Sequence, residues 1–309
     1  MTGVLTFPGK AKPWGLIDPL KWQGKPIPRR RWLAPDLIPM NNVTMLAGDG
    51  GLGKSQIALQ LLIACALGKP WLGVEVPHVK TLGVFCEDDE DELHRRMALI
   101  LEHYGADFAD LEDMALLSRV GLDNAMMQWE NQYTAGDVTG FAGQVTNTAT
   151  EFGAQLVVLD SLHDVFEGNE NARPQARQFI ASLRTIATET RGAVLLTAHP
   201  SLTGRSTGTG ESGSTAWRNT VRSMVYLTKP EAADDEASAD ERVLKTMKAN
   251  YGPMSGEIEI VWQDGLFVRR HGETGIFASI DNRKCVAALG GNLVERPKEC
   301  RHEIGRAHV

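Results

Sequence analysis

Cysteine is scarce in this 309-residue chain, and its four copies, Cys65, Cys86, Cys285 and Cys300, share no CxxC spacing. That excludes a zinc knuckle and leaves no disulfide framework to read, so they are expected to act as small hydrophobes. Long apolar runs are missing as well. No stretch approaches the ~20 uninterrupted apolar residues of a membrane span, and Met1 to Lys12 lacks the apolar centre of a signal peptide. The resulting expectation is a cytoplasmic protein with no membrane partner. Nor is there an excess of positive charge: 32 Lys and Arg stand against 39 Asp and Glu, a net charge of -7. A surface basic all over, as nucleic-acid coating requires, is therefore excluded, although a local groove or a ring of loops can still be positive. What is present, 42% apolar and 23% charged residues, suffices for one main domain of upper typical size with appendages.

Glycine, by contrast, is dense in "LAGDGGLGKSQIALQ", residues 46–60, which holds four of them between an apolar run and a helix-like segment. The preceding "NNVTMLAG" reads as a short buried strand, and "KSQIALQLLIACALG" carries apolar residues at helical spacing up to a stop at Gly68, with Pro70 just beyond. Between them Gly48-Asp49-Gly50-Gly51-Leu52-Gly53-Lys54-Ser55 fits G-x-x-x-x-G-K-[ST], the phosphate-binding loop. With no side chains in the way, backbone amides can curl around a phosphate at the positive end of a helix. Lys54 then adds a point charge on the β- and γ-phosphates and Ser55 a ligand for Mg²⁺. The expectation is a nucleoside triphosphate site.

Such a site needs an acid to position the metal and a group to orient the attacking water. "AQLVVLDSLHDVF" is an apolar run that ends in Asp160, as a central parallel strand would deliver an acid at its C-terminal edge. Asp160 is the metal-positioning candidate. "KTLGVFCEDDEDELHRRM" is a second strand that passes into an amphipathic helix, with Leu93, Met97, Ile100 and Leu101 on one side. Asp88 to Glu92 suit a helix N-terminus. Glu87 sits at the strand edge, where a water-polarising base belongs. "GAVLLTAHPSLTG" ends its apolar run at His199, at the edge where the γ-phosphate end of a nucleotide would lie, a place for a phosphate-sensing residue.

Taken together, "RRRWLAPDLIPMNNVTMLAGDGGLGKSQIALQLLIACALGKPWLGVEV", "GVFCEDDEDELHRRM", "VVLDSLHDVFEGNENAR", "LLTAHPS" and "KANYGP" resemble the AAA-family, RecA-like ATPases of phage and plasmid replication modules, and among them the plasmid RepA-type hexameric replicative helicases. The resemblance spans roughly Trp32 to Val268. It implies an α/β fold: a RecA-like P-loop core with a mostly parallel central sheet flanked by helices and antiparallel strands toward the C-terminus. It further implies ATP and Mg²⁺ as ligands, a homo-oligomeric, hexameric ring with ATP at subunit interfaces, single-stranded DNA in the central hole, and a replication initiator or primase as partner. By motif, Lys54 and Ser55 match the Walker A residues, Glu87 the catalytic glutamate, Asp160 the Walker B acid and His199 the histidine of the third motif.

The resemblance also implies an arginine reaching the γ-phosphate from the neighbouring subunit. In "GSTAWRNTVRSMVYL" the best match is Arg222, just before a strand, with Arg218 one helical turn earlier. Related ring helicases of the DnaB type carry a lysine and an arginine on a late strand before a Gly-Pro turn. Here "KTMKANYGP" keeps Lys248 but has Asn250 at the second position, which favours Arg222. "PSLTGRSTGTGESGSTA", with Arg205, takes the place of the DNA-facing loop; a plain flexible linker is an equal reading, since stacking aromatics are missing from it. "KPEAADDEASADER" reads as a solvated hairpin loop.

The expected domains are an N-terminal arm, 1–31, a RecA-like ATPase domain, 32–270, and an unassigned C-terminal segment, 271–309. The arm is too short for a separate primase domain, and its Arg29 to Arg31 run is first of all a solvated face. The final "EIGRAHV" is a translation of GAGATCGGAAGAGCACACGTC, which resembles a common sequencing adapter, so these residues are expected to be non-native and the C-terminus truncated. Fold and phosphate binding do not by themselves establish unwinding. A RadA- or KaiC-like regulatory or recombination-associated ATPase acting on a partner protein stays open beside the motor, and a small-molecule P-loop kinase stands behind both.

Overall fold

The computed structural model describes residues 17–131, 134–199, 215–230, 239–252 and 256–270. Outside them lie the expected DNA-facing loop from Pro200 to Ser214 with Arg205, most of the acidic hairpin loop, the segment from 271 onward, and two cysteines, Cys285 and Cys300. The chain divides into two units, Met1–Arg31 and Trp32–Val309. In the first, the Asp18 carboxylate accepts from the Leu20 amide and opens a single 3-10 turn, Pro19–Trp22, which buries none of its residues.

The second unit opens with a short antiparallel ladder, β1 (Trp32–Ala34) and β2 (Ile38–Pro39). Next comes β3 (Val43–Gly48), buried at every position, as only a strand covered on both faces can be. Its residues alternate between two cores: Val43, Met45 and Ala47 join one, Leu46 the other. The glycine loop leads into α1 (Lys54–Leu67), bounded by left-handed Gly53 and Gly68 and buried everywhere except Ser55 and Leu67. β4 (Thr81–Phe85) and α2 (Glu90–Tyr104) follow. Asp89 caps α2, and Leu93, Met97, Ile100 and Leu101 form its buried side, as the apolar spacing indicates.

The chain continues through β5 (Met114–Ser118), a two-stranded ribbon of β6 (Met127–Gln128) and β7 (Asp137–Val138), and α3 (Gly140–Phe152). β8 (Leu156–Asp160), the single turn α4 (Leu162–Val165), α5 (Arg173–Glu189) and β9 (Ala193–Ala198) complete the central α/β portion. α6 (Thr215–Thr220) precedes β10 (Ser223–Thr228), β11 (Glu241–Ala249), β12 (Glu257–Gln263) and β13 (Leu266–Arg269).

Among the described residues nine strands form one sheet in the order β13-β12-β11-β10-β3-β9-β8-β4-β5. The six from β10 to β5 are parallel, and β11, β12 and β13 extend the sheet antiparallel. α1 and α2 cover one face; α3, α5 and α6 cover the other. The α/β fold with a mostly parallel sheet and antiparallel C-terminal strands is thus the one expected. Because β3, β9, β8 and β4 run in the same direction, the residues that follow each of them emerge along a single edge.

The last hairpin has a second task. β12 and β13 are joined by Asp264-Gly265, both at positive φ (52° and 88°), the backbone of a two-residue type I′ turn. This hairpin closes over α1. Gln60 donates to the Phe267 carbonyl at 2.8 Å and accepts from its amide at 3.0 Å, while Gln56 donates to the Gly265 carbonyl at 2.9 Å. Gln60→Leu keeps the volume but leaves both backbone groups of Phe267 unpaired in a buried place. A loss of about 2–4 kcal/mol in urea unfolding is expected. An unchanged midpoint would show that the hairpin holds α1 by apolar contact alone.

Candidate active site

The phosphate-loop sequence folds as a strand-to-helix connection in which the glycines answer specific contacts. A Cβ at Gly48 would stand 2.5 Å from the Leu227 carbonyl oxygen of β10, so the loop leaves the sheet where only a hydrogen fits. Gly53 takes φ +96°, and a Cβ there would meet the Phe267 ring at 2.5 Å. Lys54 opens α1 with its side chain folded back under the loop. Its Nζ donates to the carbonyls of Gly48 and Asp49, both at 2.9 Å, and lies 3.2 Å from Nδ1 of His199. An ammonium has no lone pair, so Nδ1 accepts and the ring proton sits on Nε2. Burial brings the Lys54 pKa down to about 8, against the upward pull of Asp160, Asp49 and Glu87.

Asp160 stands at the tip of β8, 3% exposed, and the peptide joining it to Ser161 is cis. The Thr197 hydroxyl on β9 donates to its Oδ1. Its Oδ2 is buried and meets no donor in hydrogen-bonding geometry. Burial raises the Asp160 pKa to about 6, while Thr197 and Ser55 oppose the shift and the charges of Asp88 and Glu87 add to it. Glu87, two residues beyond β4, is exposed; its Oε1 lies 3.1 Å from the Ser161 hydroxyl. Asp88 is raised by burial against the pull of Arg96, whose Nη1 lies 2.6 Å from it.

Lys54, Ser55, Glu87 and His199 line one cleft of about 530 Å³, together with Gly51 and Gly53 of the loop. The structure thus brings Lys54, Ser55, Glu87 and His199 to one cleft, with Asp160 buried behind it and interacting with Lys54, Ser55 and Glu87. Sequence reasoning missed the opposite wall: Arg95, Arg96 and Leu99 of α2, Trp262 of β12, and Gly265. The signals were present but faint. Arg95 and Arg96 lie off the apolar side of α2, and Trp262 continues the inward alternation of Ile258 and Ile260 past the end of the core, where it remains 39% exposed.

Arg222 is elsewhere. It precedes β10, whose Ser223 pairs with Thr44 and whose Leu227 pairs with Gly48, so it lies at the far edge of the sheet. Five strand residues separate its level from that of the loop, about 16 Å. Beside it, Lys248 donates to the carbonyls of Arg218 and Asn219 at 2.7 and 3.1 Å. The Lys248 pKa is lowered by burial first and then by Arg222 and Arg218, so three cations share this edge.

The sequence matches the AAA domain family over residues 11–205. The chain belongs to that family. Among solved structures it is similar to a KaiC-like protein from the hyperthermophilic archaeon Pyrococcus horikoshii. The two share 19% identity and a TM-score of 0.53 over 78% of this chain and 99% of that one, which shows a common fold.

An AAA domain binds its nucleotide with a divalent cation, and the residues here fit one. No group of three or more His, Cys, Asp or Glu side chains able to hold a metal occurs among the described residues. Mg²⁺ does not need one, since one carboxylate, a hydroxyl, waters and substrate phosphates complete its octahedron. The partnerless Oδ2 of Asp160, beside Ser55, is the carboxylate such an ion would take. Asp160 ionises near pH 6 when folded and at 3.8 when unfolded, so the folded chain keeps a proton that the unfolded chain has released. This group therefore costs stability as pH rises through that window. With a chelator present and no nucleotide, Asp160→Asn is expected to gain stability relative to wild type from pH 3.8 to about 6 and to hold the gain above it. A flat or falling difference in paired denaturation curves would overturn this account.

Proposed function

We propose that this AAA domain is a Mg²⁺-dependent ATPase that works as a ring-forming motor on single-stranded DNA, a helicase or translocase of phage or plasmid replication. The observation that carries the hydrolytic part is the partnerless Asp160 Oδ2, buried at the tip of the strand two places from the phosphate loop and next to Ser55. The loop amides and Lys54 bind the β- and γ-phosphates, for which Lys54 exchanges its carbonyl partners. Ser55 and Asp160 hold the cation, which when bound neutralises phosphate charge. Glu87, exposed to the cleft, takes the proton of the attacking water. His199, in contact with Lys54, senses whether the γ-phosphate is there. Trp262 and Arg95 form the wall against which the base lies.

The ring is supported by the position of the second cation group. Arg222, with Arg218 and Lys248 beside it, lies at the sheet edge opposite its own cleft, out of reach of its own phosphate loop, and in this reading it serves the γ-phosphate of an adjacent subunit. The segment between His199 and α6 supplies the DNA contact in this reading, and a replication initiator or primase is the partner that loads the ring. The KaiC-like fold is compatible with a second reading, an ATP-driven switch that assembles on a partner protein.

Two measurements separate these readings. The purified chain is expected to migrate as a ring-sized species and to hydrolyse ATP several-fold faster when single-stranded DNA is added. An unchanged rate in an assembled protein would select the switch. Mixing Arg222→Ala with Lys54→Ala subunits, each inactive alone, is expected to restore part of the activity, because some interfaces then combine an intact loop with an intact arginine. No recovery in verified mixed rings would remove Arg222 from the site.

A further inference from the structure

We propose that Ser161 is the positioning residue for Glu87, and that it works through a hydroxyl shared between Glu87 and Asp164. The proposal rests on the reading of Glu87 as the base that activates water. A glutamate at an exposed strand end has three side-chain torsions to fix, and a base displaced by about 1 Å loses up to ~100-fold in rate. Something has to hold it.

The fold places one group where that can happen. β4 and β8 are neighbours with Phe85 opposite Asp160, and the pairing continues one step further through the Cys86 amide, which donates to the Asp160 carbonyl at 2.7 Å. By that register Ser161 stands level with Cys86, so Glu87, the next residue on its side, is one step further along the same strand ends and its side chain reaches back to the Ser161 hydroxyl. Ser161 is 2% exposed, so its hydroxyl does not wander into solvent. Its Oγ lies 3.1 Å from Glu87 Oε1 and 2.7 Å from Asp164 Oδ2, and it has a single proton for two carboxylates.

Asp164 is itself fixed. It occupies the third position of α4, and its Oδ2 also accepts from the Ser161 amide at 3.3 Å, which closes a capping box. The hydroxyl proton thus moves between a fixed acceptor and a mobile one. Pointed at Glu87, it tethers the carboxylate at the cleft wall; pointed at Asp164, it leaves Glu87 free to turn to water. Capping of α4 accounts for the Asp164 contact but not for Glu87, which follows another strand.

The test measures kcat, KM for ATP and binding of a fluorescent ATP analogue for Ser161→Ala, Ser161→Thr, Asp164→Asn, Glu87→Gln and the Ser161→Ala/Glu87→Gln double variant. Ser161→Ala is expected to lower kcat about tenfold or more, with KM and analogue binding within about twofold of wild type. Ser161→Thr, which keeps the hydroxyl, restores most of the loss. In the Glu87→Gln background the alanine has no further effect, because the group it positions is already disabled. Asp164→Asn, which removes the rival charge but not the tether, stays within about threefold of wild type and serves as the probe if Ser161→Ala fails to bind the analogue. Additive losses in the double variant, or an Asp164→Asn loss as deep as that of Ser161→Ala, overturn the proposal in favour of a cap or a metal-side role. Near wild-type hydrolysis by Glu87→Gln would instead overturn the base assignment. A dead Glu87→Gln beside a fully active Ser161→Ala overturns the Ser161 proposal alone.

Discussion

A helix with no face left for water must be covered on every side, and α1 is such a helix. The sheet takes one side, α2 another, and the β12–β13 hairpin closes the remainder through Gln56, Gln60 and Phe267. Since α1 cannot shift without opening a core, its first turn is held rigidly against the tips of β3, β8 and β9. The phosphate loop inherits that rigidity. Gly48 is pinned by the backbone of β10 and Gly53 by the ring of Phe267, so both ends of the loop are set by contacts far along the chain. An anion site made of backbone amides depends on such fixed geometry, because its donors have no torsions with which to adapt.

The electrostatics follow from the same enclosure. Lys54 and Asp160 are both buried, and each is shifted toward its neutral form, yet each remains within reach of the other's field. The lysine meets its need for partners with two carbonyls and His199; the aspartate satisfies one oxygen with Thr197 and leaves the other without a partner. The triphosphate and cation proposed for this site would supply what each lacks: negative charge for the lysine, positive charge for the aspartate. Ligand binding and relief of desolvation are then one event, and the affinity for either ion depends on the presence of the other.

What could be read in the sequence was what chain order determines. The glycine loop is contiguous, and Asp160, Glu87 and His199 each end an apolar run, so the rule that parallel strands deliver their next residues to one edge was enough to gather them. Residues whose role depends on pairing across the sheet could not be found that way. Thr197 is an ordinary strand threonine until β9 is laid beside β8. Ser161 gains its meaning from the pairing of β4 with β8, which brings it one residue from the level of Glu87 and within reach of its carboxylate. Trp262 looks like another inward residue of an alternating strand, and only the end of the core beneath it turns its ring toward the cleft. The Asp-Gly turn that folds the hairpin back was a local signal of the strong kind, but where the hairpin would land was not.

The closure of α1 by the final hairpin also has a consequence in time. Gln60 and the backbone it bonds are 207 residues apart. At about 5–20 residues per second, the ribosome needs roughly 10–40 s to make the second after the first. During that interval a helix that is buried almost everywhere in the folded chain has been made while its covers, α2, the later sheet strands and the hairpin, are still incomplete. The glycine loop is synthesised early and completed late. A nascent chain in this state presents the surface that chaperones recognise, and premature termination before β13 yields a product with the motif intact and its helix uncovered.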